Sequence, residues 1–192
     1  DTETVPIGFD FQFFDEVVSE VSISSNGFIS VDGAATESRC CSGETLGTAG
    51  TRGIIAAFWE DLDPPAGGTI TYGTSGDAPD REFVVEFDEI QHFSGGDAVS
   101  FQIVLGEAGY AEVHCESCPA NGDPHTQGMQ SLTSNAFASI EGRMQSVDFS
   151  LVNDGVRFTW VYDDDGVGDV CDTCPLANPD DADVDLVCDD VD

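Results

Sequence analysis

Lysine is absent from the 192 residues, and only five arginines, at 39, 52, 81, 143 and 157, stand against 38 aspartates and glutamates. Without lysine, lysine nucleophiles and the Schiff-base chemistry they carry are excluded. At a formal charge of -33 the chain repels nucleic acid and anionic lipid. Its compact state also suffers a self-repulsion that gathered cations would relieve. Neither nucleic-acid binding nor membrane insertion is therefore expected, and no run approaches the roughly 18 apolar residues of a membrane helix. No N-x-[ST] acceptor occurs, so N-linked glycosylation is not expected. The glycine clusters GEAG and SGGD follow neither phosphate-loop spacing, and no serine sits at a recognisable nucleophile elbow. The expectation is a protein that is not an enzyme. There is no signal peptide either, and the chain opens on the polar DTETVP, which we read as a secreted product whose signal has been removed.

What is present argues for a folded body: 40% hydrophobic residues and 13 phenylalanines, in a chain long enough for one core with a small appendage. Alternation dominates over helical periodicity. Strand candidates are FDFQFF (9–14), VSISS (21–25), GFISV (27–31), GIIAAFW (53–59), TITYG (69–73), REFVVEF (81–87), VSFQIVL (99–105), YAEVH (110–114), AFASI (136–140) and VRFTWVY (156–162). Turn clusters such as SNG, DLDPPAGG, TSGDAPD and VNDG separate them. The predicted fold is all-β, an antiparallel β-sandwich over residues 1–162 followed by an irregular tail over 163–192.

Two polar insertions, about 32–52 and 115–134, each carry two cysteines. The economical pairing joins Cys40 and Cys41 to Cys115 and Cys118, stapling two loops, with the order of partners open. Such clustering fits an oxidising, extracellular compartment. Zinc held by His114, Cys115, Cys118 and His125 is the competing reading, because a C-x-x-C pair flanked by histidines can complete a tetrahedral site. Seven cysteines is an odd number, so one thiol is free, metal-bound or joined to another chain. In FWEDLDPP, Glu60, Asp61 and Asp63 form a possible second metal cluster, a carboxylate pair for glycoside hydrolysis, or a turn of solvated acids.

The densest chemistry lies in YDDDGVGDVCDTCPLANPDDADVDLVCDD (162–190), with 11 aspartates and no basic residue. Carboxylates at alternate positions about a glycine are what a small calcium loop requires. With Gly166 at the sixth position, Asp163 and Asp165, the Val167 carbonyl, Asp169 and Asp172 fall in liganding register, while Val161 occupies the first position without a side-chain oxygen. The run DDDGVGDVCDTCPLANPDDADVD resembles the thrombospondin type 3 repeat, an extracellular calcium-binding wrap. The resemblance implies one to three Ca2+ ions, with Asn178, Asp180, Asp183 and Asp185 as further ligands. It also implies a Cys174 to Cys188 disulfide, with Cys171 reaching back to something earlier. Standing where the sandwich gives way to the tail, Cys171 is also the candidate for a bond outside its own chain. The expected second glycine-aspartate loop is missing after Asp185.

The body has a looser likeness. IGFDFQFF, VSISSNGFISVDG, IIAAFWEDLDPPAGGTITYGT, REFVVEFDEIQHF and VSFQIVLGEAG, in that order, resemble a secreted bacterial β-sandwich module related to the nidogen-type extracellular domain. That likeness implies adhesion or scaffolding. Together these readings predict an extracellular calcium-binding structural protein that assembles with copies of itself, through calcium bridges or through strand addition by the aromatic N-terminal segment. The alternative is a calcium-dependent adhesin or lectin-like module for glycan or matrix protein, in which Trp59 or Trp160 would form an exposed platform.

Overall fold

The computed structural model describes residues 2–32 and 41–159. Among the described residues eleven strands form two antiparallel sheets. In chain order they are β1 (Thr2–Phe13), β2 (Glu16–Ser24), β3 (Phe28–Ser30), β4 (Ile54–Trp59), β5 (Thr69–Ser75), β6 (Glu82–Ile90), β7 (Val99–Gly106), β8 (Tyr110–Cys118), β9 (Thr126–Gln130), β10 (Phe137–Ser139) and β11 (Leu151–Thr159). The first sheet has the order β1-β2-β3-β4-β9-β10 and the second β11-β8-β7-β6-β5. All ten expected strand segments fall on strands, the last of them over its described residues 156–159. The β9 segment TQGMQ, placed in a loop by the sequence, is an additional strand between β4 and β10.

The core lies between the sheets because alternate residues of each strand face inward. In β1 these are Val5, Ile7, Phe9, Phe11 and Phe13, all buried. In β6 they are Phe83, Val85 and Phe87, and in β7 Phe101, Ile103 and Leu105. The aromatics of FDFQFF thus serve their own core, with β1 paired to β2. This removes the aromatic character of that segment as a sign that it is offered to a neighbour.

Strand β4 departs from alternation. All six of its residues are buried, and Phe28, Ile54, Ala56 and Trp59 form a second apolar cluster on the opposite face of the sheet. The segment after Cys41 closes over part of that sheet: the Gly47 N–H donates to Gln130 Oε1 at 2.8 Å, Gln130 Nε2 to the Thr48 carbonyl at 2.7 Å, and Thr126 Oγ1 to the Glu44 carbonyl at 2.9 Å. Trp59 is fully buried, its ring centroid 4.8 Å from that of Phe28. It is no glycan platform. Trp160 lies outside the described residues.

One glycine is dictated by this packing. Gly27 turns the chain from β2 into β3 at a φ of 80°, and a Cβ there would stand 2.2 Å from the Phe58 carbonyl oxygen. No other residue fits such an approach.

The cysteines correct the sequence expectation. Cys115 and Cys118 are joined to each other, with a Cα–Cα separation of 6.2 Å, and do not staple two insertions. A register shift between β7 and β8 at Ser100 and Phe101 makes the short bridge possible. It brings two cysteines three positions apart onto the same buried side of β8, a re-aiming that bulges produce. Cys41 is also disulfide-bonded, and its partner is neither of these two. Cys40, Cys171, Cys174 and Cys188 lie outside the described residues. The zinc reading fails with the same finding, because the two thiols are consumed. The exposed His114 side chain is bonded to Glu112, and His125 is buried elsewhere.

Candidate functional site

The chain leaves β4 with Glu60, Asp61, Leu62 and Asp63 and crosses from the first sheet to the second. Leu62 forms an isolated antiparallel bridge with His92, the Phe93 N–H donates to the Asp61 carbonyl at 2.9 Å, and the Asp63 N–H to the Gln91 carbonyl at 2.8 Å. This short pairing keeps the alternation of the strand, so Glu60 and Leu62 are buried while Asp61 and Asp63 are half-exposed. The acidic run read as one cluster is therefore split between two places. That corrects the expectation of a shared metal site for Glu60, Asp61 and Asp63. Among the described residues no group of three or more His, Cys, Asp or Glu side chains is arranged to hold a metal ion.

Glu60 belongs to an internal polar knot. Its Oε1 accepts from His92 Nδ1 at 2.7 Å and from Asn121 Nδ2 at 2.6 Å, and both the glutamate and histidine side chains are fully buried. Its Oε2 has no hydrogen-bond partner and lies 3.9 Å from His125 Nδ1. His125 is held by two carbonyl oxygens, Asp123 O on Nδ1 at 2.9 Å and Phe149 O on Nε2 at 2.8 Å. Phe58 stacks on His125 with centroids 4.3 Å apart, and Phe149 lies 4.0 Å away on a tilt. The knot joins the end of β4, the β6–β7 connection and the β8–β9 connection. Its chemistry is structural: Glu60 Oε1, His92 Nδ1 and both nitrogens of His125 find partners that an apolar interior would otherwise deny them, while Glu60 Oε2 and His92 Nε2 are left without a hydrogen bond.

Asp61 and Asp63 open instead into a groove of about 500 Å³ at the edge where the two sheets meet. Along this edge β1 and β5 are fastened at one end, where Thr74 Oγ1 donates to the Ile7 carbonyl at 2.5 Å and Arg81 Nη1 to the Gly8 carbonyl at 2.8 Å. Toward Ile70 the strands part, leaving Ile23, Leu62, Ile70 and the Pro64–Pro65 turn as an apolar lining. Carboxylates from both sides reach it: Glu3 from β1, Asp61 and Asp63 from the crossover. Tyr72 also lines the groove, 45% exposed, with its hydroxyl donating to Glu3 Oε1 at 3.1 Å. Partial burial and the neighbouring charges of Glu60, Asp123 and Asp63 push the Asp61 carboxyl above its ordinary range.

Sequence reasoning passed over Tyr72, Glu3, Asn121 and Asp123. Tyr72 shares the inward-facing parity of Ile70 and reads as core. Only the position of β5 at the sheet edge leaves it uncovered. Asn121 and Asp123 sit in PANGDPH, a string of turn formers whose local bonds, such as the Asp123 N–H to Asn121 Oδ1 at 2.8 Å, are those of an Asx turn.

The arginines are engaged at home. Arg81 makes a paired contact with Glu107, at 2.8 Å from Nε and 2.5 Å from Nη2, while lying 5.4 Å over the Phe9 ring. Arg143 holds both oxygens of Asp154 at 2.7 and 3.0 Å. Arg157 bonds Glu112 and stacks 4.1 Å over Tyr110, and half-buried Arg52 donates to Asn135 Oδ1 at 3.1 Å. Arg39 lies outside the described residues.

The predicted calcium ligands Asp163, Asp165, Val167, Asp169, Asp172, Asn178, Asp180, Asp183 and Asp185 all lie outside the described residues. Compared with known proteins, residues 1–159 match the family described as NIDO related. No curated protein and no solved structure matches the chain. The match spans most of the chain and ends short of the aspartate-rich stretch. The protein belongs to the NIDO-related family, and its body is a nidogen-like module.

Proposed function

We propose that this protein is an extracellular calcium-binding structural module whose copies associate through acidic surfaces bridged by cations. The observation that carries the proposal is the use of its positive charge. Three of the four described arginines are ion-paired within the fold and the fourth is bonded to an asparagine. Little basic side chain is left to meet a neighbour's carboxylates, and the first 162 residues alone carry 26 acids against five arginines, net -21. Two such surfaces approach only with cations between them. Calcium is the cation that the spacing about Gly166 favours, with Asp163, Asp165, Asp169 and Asp172 as ligands and Asn178, Asp180, Asp183 and Asp185 as a second set. The likeness of that stretch to thrombospondin type 3 repeats supports the same reading. The oxidised Cys115–Cys118 pair supports an oxidising compartment, and nidogen-like modules imply scaffolding and not a reaction.

Sedimentation of the full chain across millimolar calcium, with magnesium and sodium at matched ionic strength, tests the proposal. A calcium-specific rise in mass is expected. A monomer throughout overturns the assembly, and an equal response to magnesium overturns the calcium assignment.

A further inference from the structure

We propose that the groove between β1 and β5 docks a lysine- or arginine-bearing segment of a different protein. This goes beyond the homotypic assembly above and rests on separate observations. Volume is the first, since about 500 Å³ falls within the range of about 300–1,000 Å³ usual for ligand clefts. The second is the pairing of surfaces: an apolar lining from Ile70 and the Pro64–Pro65 turn suits the aliphatic stem of a long basic side chain. Carboxylates of Glu3, Asp61 and Asp63 face the cationic head. No arginine or histidine lines the groove to neutralise them. Partial burial and then the repulsion of Glu60, Asp123 and Asp63 act on Asp61, and an incoming cation would relieve the repulsion.

The third is Tyr72, whose hydroxyl is tied to Glu3 and whose ring borders the groove, offering a face for cation–π contact. A second copy of this chain is a poor source of the cation. It has no lysine, and its described arginines are held by Glu107, Asp154, Glu112 and Asn135. With Arg39 outside the described residues, the occupant favoured by the groove's chemistry is a foreign segment that carries a long basic side chain beside apolar ones.

Because the whole chain is acidic, the test must separate the groove from general attraction. A fluorescein-labelled peptide of alternating lysine and valine is titrated with the full chain at physiological salt, beside a counterpart with glutamine in place of lysine. Asp61→Asn with Asp63→Asn, and separately Tyr72→Ala, are expected to weaken lysine-peptide binding at least about tenfold. Glu86→Gln with Asp88→Asn, equal in charge change but on the outer face of β6, is expected to leave it within about twofold. Circular dichroism confirms the fold of each variant, and amide shifts of Ile70 and Tyr72 on peptide addition give a readout independent of mutation. Equal loss in both charge-matched pairs, binding of the glutamine peptide as tightly as the lysine peptide, or no shift at Ile70 and Tyr72 on saturation would each overturn the proposal.

Discussion

Replacing His92 with alanine removes one of the two donors to the inner oxygen of Glu60, leaving Asn121 Nδ2 at 2.6 Å as its remaining partner. Both side chains of the pair are fully buried, so water cannot take the place of the imidazole without opening the packing around Phe58. Stripping one partner from a buried pair costs about 3–5 kcal/mol, mostly as the penalty of the group left behind. For a domain of this size that is a fall in melting temperature of roughly 6–20 °C. Replacing both partners by apolar residues of similar volume, Glu60→Met with His92→Leu, is expected to recover most of the loss, because no polar group is then stranded. Urea denaturation of the wild type, Glu60→Met, His92→Leu and the double variant closes the cycle, with an expected coupling of about 2–3 kcal/mol. A cost below about 1 kcal/mol for His92→Ala, or additive single effects, would refute the claim that the knot is a cooperating buried unit.

Four further outcomes follow from the geometry. The Glu82 hydrogen bond, 2.6 Å from the Tyr110 hydroxyl, together with partial burial, pushes the phenol up to about 12. Phenolate absorbance of Glu82→Gln should show that titration moving back toward 10, and since the neutral phenol is favoured in the fold, its contribution is present below about 10 and lost as pH rises toward 12. Arg143 holds Asp154 below the ordinary carboxylate range, and Arg81 does the same for Glu107. The stability from both is present above about pH 4 and lost as acid protonates them, and Arg143→Met should shift acid unfolding to higher pH by tryptophan fluorescence. Gly27→Ala should cost about 2–4 kcal/mol in urea denaturation, from the left-handed φ and the clash with Phe58 O. Limited proteolysis with and without chelator should show calcium-dependent protection after residue 162 and calcium-independent protection of the sandwich, and equal cleavage of the acidic stretch in both would sink the calcium assignment.

How far the sequence could be read depended on whether a signal was local. Phe83, Val85 and Phe87 announce their strand because every second residue faces the core. Strand β9 gives no such sign: Gln127 and Gln130 are buried polar residues, and Gly128 lies in the left-handed half of φ space under the Ala138 carbonyl. Its place is decided by β4 and β10 on either side. The Cys115–Cys118 bond was hidden because it depends on a slip in register between β7 and β8, which no spacing of cysteines encodes. In the sequence Glu60, Asp61 and Asp63 read as three neighbouring acids. Their separation required knowing that the crossover continues as an extended strand against His92. The groove was out of reach for a similar reason, since Glu3, Asp61 and Tyr72 are brought together only by the meeting of β1 and β5.

The outermost positions of β1 and β11 carry a mechanical meaning. Strand β1 borders one sheet beside β5, and β11 borders the other sheet at the end farthest from β5. Tension applied between these two strands enters one layer and leaves through the opposite one, so it cannot travel along a single ladder of hydrogen bonds. It must be carried across the phenylalanine-rich layer between the sheets, with the Thr74 and Arg81 contacts as tie points near the point of entry. A module wired in this way resists stretching with its whole interior, and its edges would peel before its centre yields.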